Sequence, residues 1–178
     1  GNMNGDTDLL NPNTPGWNVL DVVILANCVL AENCHLDCLD PVTNAGTPCH
    51  GCAGDMNGDN TFNVLDIVRL ANCVLADNCD DLRLAADLGR VDDATKSKLI
   101  MRDGHIYIEA NGFIGGVQMT LRHEDDFKID MTDQALFSEY LTTGNETRLL
   151  IVTPETDKLF SYSGDFEIVE IIVANSHS

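Results

Sequence analysis

The feature that most constrains this 178-residue chain is a duplication in its N-terminal half. GNMNGD at residues 1–6 matches GDMNGD at 54–59, and NVLDVVILANCVLAENC at 18–34 matches NVLDIVRLANCVLADNC at 63–79. Each copy reads as a polar, Gly-containing loop followed by a helix of about three to four turns, starting near Asn18 or Asn63 and stopping at Ala-Glu-Asn or Ala-Asp-Asn. Asn33 and Asn78 are the expected C-terminal caps. The first copy inserts eight extra residues between Asp6 and Asn18, and Pro12, Pro15 and Gly16 mark that insert as a loop.

Apolar residues cover nearly every side of the first helix: Val19, Leu20, Val22, Val23, Ile24, Leu25, Val29 and Leu30. One buried face does not account for all of them. Either the helix is sandwiched inside its own domain or a partner covers part of it. Arg69 stands in the second copy where Ile24 stands in the first, so the two helices are expected to have different neighbours.

The loops carry oxygen donors at a regular spacing. Calcium is a hard cation that takes about six to eight oxygens, and a short loop supplies them from positions 1, 3, 5, 9 and 12 with a backbone carbonyl at 7. Asp55, Asn57, Asp59, the carbonyl of Thr61, Asn63 and Asp66 fill those places in order. Asp66 falls on the first turn of the following helix, where it can close the cage from the far side. The residues before Asp55 (Cys49-His50-Gly51-Cys52-Ala53-Gly54) are turn-forming, which gives a loop plus one helix and not a full EF-hand. In the first copy Asn2, Asn4, Asp6, Asn18 and Asp21 hold the matching places. Asn at position 1 removes a ligand charge, so that second Ca2+ site is expected to be weaker.

Residues 81–95 are charged and Ala-rich and read as a linker between a domain at 1–80 and one at 96–178. Beyond them the pattern changes to period two. His105–Ala110, Phe113–Leu121, Phe127–Met131, Thr147–Val152 and Phe166–Val173 are strand candidates separated by Gly, Asn and Asp turns. The fold class expected is therefore α+β in two domains, a small all-α loop-helix repeat and an antiparallel β-sandwich.

All seven cysteines lie in the first 79 residues. Cys28 with Cys34 and Cys73 with Cys79 recur in both copies, and a bridge there would pin a helix end. Cys38, Cys49 and Cys52 remain. They cannot all pair internally, and Cys49-His50-Gly51-Cys52 with Cys38 and His35 nearby has the spacing of a zinc site as an alternative to disulfides. Such cysteine density suggests an oxidising, extracellular setting. Asn145-Glu146-Thr147 is a glycosylation sequon compatible with secretion. The chain opens directly on a motif at Gly1, as a processed protein or an excised fragment does.

Ten basic residues against twenty-nine acidic ones give a formal charge of −19, which argues against a nucleic-acid partner. No run reaches the roughly 20 apolar residues of a membrane helix, because Asp21, Asn27 and Glu32 interrupt the longest one, so no membrane insertion is expected. No hydrolase, zinc-protease or nucleotide-loop motif is present, and the five histidines show no catalytic spacing, so no enzyme is expected. Glu124, Asp125 and Asp126 read as a solvated turn.

Two copies of D-x-N-x-D-x-x-x-N-x-x-D, each followed by a single helix, resemble a dockerin module over residues 1–80. The resemblance implies calcium-organised units whose helices dock onto a cohesin, a β-sandwich partner. The family's recognition pair at loop positions 10 and 11 is commonly Ser-Thr, and here Val19-Leu20 and Val64-Leu65 stand there. Phe113-Ile114-Gly115-Gly116-Val117-Gln118-Met119-Thr120-Leu121 and the later Gly164–Ile171 run look like strands of a cohesin-like sandwich over residues 97–175. The two resemblances together imply a secreted calcium-binding structural or adhesion protein. It would act by protein-protein association, with another copy of itself as one partner, in head-to-tail filaments. The alternative is an anchoring or carbohydrate-binding appendage of a larger exported enzyme or surface protein, with Tyr107 and Tyr162 as sugar platforms.

Overall fold

Both repeats form the helix that their pattern predicts. The computed structural model describes residues 16, 18–34, 54–76, 79 and 92–176. Asn2, Asn4, Asp6, Cys38, Cys49, Cys52, Asn78 and linker residues 81–91 lie outside the described residues. The chain divides into two units, Gly1–Leu88 with Ser178, and Gly89–His177. The first unit holds α1 (Val19–Leu30) and α2 (Val64–Ala76), which pack against each other.

Their starts are built alike. The Asn18 side chain accepts the Leu20 N–H at 2.8 Å while the Asn18 N–H donates to the Asp21 carboxylate at 2.9 Å. Asn63 and Asp66 repeat the arrangement at 2.8 and 3.1 Å. Each pair is a reciprocal cap that satisfies amide groups otherwise left over at a helix start. At the end of α1 the left-handed residue is Glu32 (φ 51°) and not Asn33. Glu32 N–H donates to Val29 and Asn33 N–H to Cys28, so Asn33 contributes backbone to the cap and Glu32 makes the turn. The Cys28–Cys34 and Cys73–Cys79 disulfides form as the repeat suggested, each closing over a helix C-terminus. Gly54, read as part of a turn, has helical backbone immediately before Asp55.

Burial divides α1. Val22, Leu25, Ala26, Val29 and Leu30 are buried, whereas Val19 and Leu20 are 48% and 53% exposed. Val23 and Ile24 continue that open stripe, half-buried. Val64, the counterpart of Val19, is fully buried. The two copies thus have different surroundings, as the Ile24/Arg69 difference indicates. Among the described residues no helix is long and apolar enough to cross a membrane.

The second unit is an antiparallel sandwich of eight strands: β1 (Ser97–Arg102), β2 (His105–Ala110), β3 (Gly116–His123), β4 (Lys128–Met131), β5 (Ala135–Thr143), β6 (Glu146–Pro154), β7 (Lys158–Ser163) and β8 (Phe166–Ala174). One sheet runs β1-β2-β7-β4 and the other β5-β6-β3-β8. Ile106, Ile108 and Phe160 of the first sheet meet Val117, Met119, Leu121, Leu149 and Ile151 of the second in the shared core. At roughly 25 cal/mol per Å² of apolar surface removed from water, this layer is the main source of the unit's stability. Leu150 and Val152 alternate onto the opposite face of the second sheet and are also fully buried.

The sandwich begins earlier than its sequence suggests. Ala94 N–H donates to Phe113, Phe113 N–H to Asp92, and the Thr95 and Lys96 N–H groups both to the Asn111 side chain at 2.9 Å. Ser176, at the other end of the unit, donates to the Asp93 carboxylate. Residues 92–95, read as the end of a linker, are therefore fastened into the sandwich.

Candidate functional site

The loop ahead of α2 is wound around its own carboxylates. Asp55 accepts the N–H groups of Gly58 at 2.7 Å, Asp59 at 3.1 Å and Asn60 at 3.1 Å. Asn57 accepts the Asp59 N–H at 2.9 Å, and Asp59 accepts the Thr61 N–H at 2.8 Å. Short polar side chains that accept amides two to five residues ahead hold the chain in a tight curl. Gly58 (φ 78°) and Asn60 (φ 62°) make the left-handed steps it requires.

Asp66 closes the curl from the helix side. Its carboxylate accepts the N–H of Met56 at 2.8 Å, of Asn57 at 3.2 Å and of Asn63 at 3.1 Å, so one side chain ties the loop's beginning to the helix start. Arg69, one turn further along α2, donates to the Met56 carbonyl at 3.1 Å and fastens the same point from outside. The Asp66 residue is fully buried. Burial raises its pKa from 3.8 to about 6 against the opposing pull of the three N–H donors, and the nearby negative charge of Asp55 adds to the rise.

Asp55, Asn57 and Asp59 lie in this loop and Asp66 against it from α2, and each of the four accepts backbone amides of the loop or the helix start. Asn63 is buried with its side-chain oxygen turned to the α2 cap, and Thr61 lies at the exposed edge. Among the described residues no three His, Cys, Asp or Glu side chains cluster around one point; the loop's donor set adds amide and carbonyl oxygens to its carboxylates. Oxygen donors alone suit hard cations over thiophilic ones. In the first copy Asn18 and Asp21 adopt the same cap geometry as Asn63 and Asp66. In the sequence, Arg69 differs from its counterpart Ile24 and stands one helical turn after Asp66 on the same face, which is the signal for this anchor.

Two other sequence candidates resolve differently. Asn145 sits exposed in the two-residue β5–β6 hairpin, where Gly144 takes φ 61°. The sequon hydroxyl of Thr147 is fully buried, bonded to Thr142 at 2.7 Å and to the His123 ring at 2.8 Å. Glu124, Asp125 and Asp126 form an exposed turn between β3 and β4, as expected.

Fold and loop together define a mixed α+β protein, with a helix-repeat unit that carries an oxygen-rich loop and an eight-stranded antiparallel sandwich. Comparison with protein-family models, with curated proteins and with solved structures gives no match to this chain.

Proposed function

We propose that this chain is a calcium-binding structural or adhesion protein that works by protein-protein association, its N-terminal unit dockerin-like and its sandwich cohesin-like. The observation that carries the calcium reading is Asp66, a fully buried carboxylate whose charge is strained by desolvation and by Asp55. A divalent cation held by Asp55, Asn57, Asp59, the Thr61 carbonyl, Asn63 and Asp66 would relieve that strain and brace the start of α2. The weaker site would use Asn2, Asn4, Asp6, Asn18 and Asp21. An ion bound only by the folded unit adds stability that disappears with it.

Association is supported by apolar surface in both units. Val19 and Leu20 stand exposed at the pair of positions that the dockerin resemblance assigns to recognition. In the sandwich, Leu141 is 43% exposed and Phe137 half-buried on the face of the β5-β6-β3-β8 sheet turned from the core. A sheet packed on one side only normally alternates apolar with polar. The carbohydrate reading has less support: Arg102 lies over the Tyr107 ring, and Tyr162 packs against the core. The two disulfides are compatible with an oxidising, extracellular setting.

Light scattering of the non-reduced chain across concentration tests this function. Growth in millimolar calcium and return to the 19.4 kDa monomer on chelation is the expected result. A monomer under both conditions would remove self-assembly.

A further inference from the structure

The chain's single Asn-x-Ser/Thr triplet, Asn145-Glu146-Thr147, is tied to β3 through all three of its residues. The Asn145 side-chain amide donates to the His123 carbonyl at 3.0 Å, and the His123 N–H donates back to the Asn145 carbonyl at 2.9 Å. Glu146 accepts from Arg122 at 3.0 Å. The Thr147 Oγ lies 2.8 Å from His123 Nε2 and 2.7 Å from Thr142 Oγ, and the residue is fully buried. His123 Nδ1 meets the Glu124 carbonyl at 2.9 Å. A carbonyl only accepts, so Nδ1 carries the proton of the neutral ring, the Thr147 hydroxyl donates to Nε2, and the Thr142 hydroxyl donates to Thr147. The ring is held in turn against Phe127, with centroids 4.4 Å apart.

The place of Thr147 in the sheet makes this closure firm. β6 is an interior strand, and Thr147 stands between Leu121 of β3 and Thr142 of β5. Exposing its hydroxyl means parting this end of β6 from both neighbours, which confines the open form to a minor population. Asn145 is different, since it stands exposed in the turn beside Gly144. Attachment of an N-linked glycan reads the triplet as a unit, with the amide nitrogen as nucleophile and the hydroxyl residue as part of what is recognised.

We propose that Asn145 is an N-glycosylation site open only until β3 pairs with β6, so that the glycan is added to the nascent chain and never to the folded one. In the transfer, Asn145 Nδ2 forms a bond to C1 of a lipid-linked oligosaccharide as the bond from C1 to the lipid diphosphate breaks. The amide loses one proton, and the diphosphate leaves with the electron pair. The product suits the fold although the reaction does not: the glycan hangs from an exposed turn, outside the strand ladder, and the amide keeps one N–H. The inference rests on the extracellular setting read above and needs neither calcium nor association.

To test it, the chain is translated behind a cleavable secretory leader with microsomes that carry the transferase. Purified folded chain is offered separately to the same transferase with lipid-linked oligosaccharide. The nascent chain should gain the mass of one glycan, released by an N-glycan amidase and absent from Asn145→Gln. The folded chain should react about a hundredfold more slowly or less, as a closed strand requires. Leu121→Asp places a carboxylate in the sandwich core opposite Thr147 and leaves the triplet intact, so the unfolded full-length variant should accept the glycan after synthesis. Folded wild-type chain modified as fast as this variant would overturn the gate. A nascent chain that stays unmodified would overturn the site and leave Asn145 and Thr147 serving the hairpin alone. That second comparison uses only the wild-type sequence, so it decides whatever Leu121→Asp does, and neither result alters the light-scattering test of association.

Discussion

Asp66 has two roles that depend differently on its proton. As a cap residue it accepts three backbone amides, and in its buried place its pKa rises from 3.8 to about 6. The folded unit therefore holds this proton more tightly than the unfolded chain does. Its contribution to stability is fully present below the unfolded value of 3.8 and is lost as pH rises through about 6. Melting of the calcium-free protein, followed in the N-terminal unit, should move to higher temperature as pH falls from 7 to 5, and Asp66→Asn should flatten that dependence. An unchanged slope in the variant would assign the effect to another group. Calcium reverses the preference, because a cation binds the carboxylate and competes with the proton. Proton release on adding calcium should appear near pH 6 and fade by pH 8, read by calorimetry in buffers of different ionisation heat. Asp66→Ala should remove most of the calcium-induced rise in melting temperature and leave the smaller part owed to the weaker site. The spacing of Asp55, Asn57, Asp59 and Asp66 made this loop legible in the sequence. The use of Asn63 as a helix cap and the Arg69 anchor on the Met56 carbonyl were not, since both depend on which way a side chain turns once the helix exists.

Among the elements, Gly112 and Gly144 separate two reasons for glycine. A Cβ at Gly112 would overlap the Asp92 carbonyl oxygen, where the lead-in to β1 crosses the end of β2. Gly112→Ala should destabilise the sandwich by roughly 2–4 kcal/mol, because backbone has to move. Gly144 has open space around it and is constrained only by φ 61° in its hairpin turn, so Gly144→Ala should cost about 1 kcal/mol and Gly144→Asn less. Denaturant midpoints at constant slope check the order, and equal costs would mean that the lead-in yields easily. Strand visibility follows a similar physical logic. β2, β3, β4, β6 and β8 were readable because apolar residues alternate or run continuously in them. β1 and β5 are edge strands with mostly exposed or half-buried side chains, so their alternation is weak. β7 is six residues long and carries the bulge that buries Leu159 and Phe160 in succession, which breaks the period-two pattern. The lead-in at 92–95 owes its order to hydrogen bonds with Phe113, Asn111 and Ser176, partners that local composition does not reveal.

At the scale of the whole molecule, the two units draw stability from different sources. The described part of the first has two short helices, two disulfides and an oxygen-rich loop, a small core with staples. The second has a ten-residue buried cluster and, by sequence, no cysteine. The chain also carries a separate optical reporter for each: its single tryptophan, Trp17, belongs to the first unit, and its three tyrosines, Tyr107, Tyr140 and Tyr162, to the second. Chelation together with reduction should therefore lower the melting transition seen in tryptophan emission by many degrees. The near-ultraviolet tyrosine signal should keep its midpoint within a few degrees, since removing about 2–4 kcal/mol per disulfide acts only where the bridges are. A tyrosine transition that falls in step with the tryptophan one would mean that the sandwich takes much of its stability from the first unit.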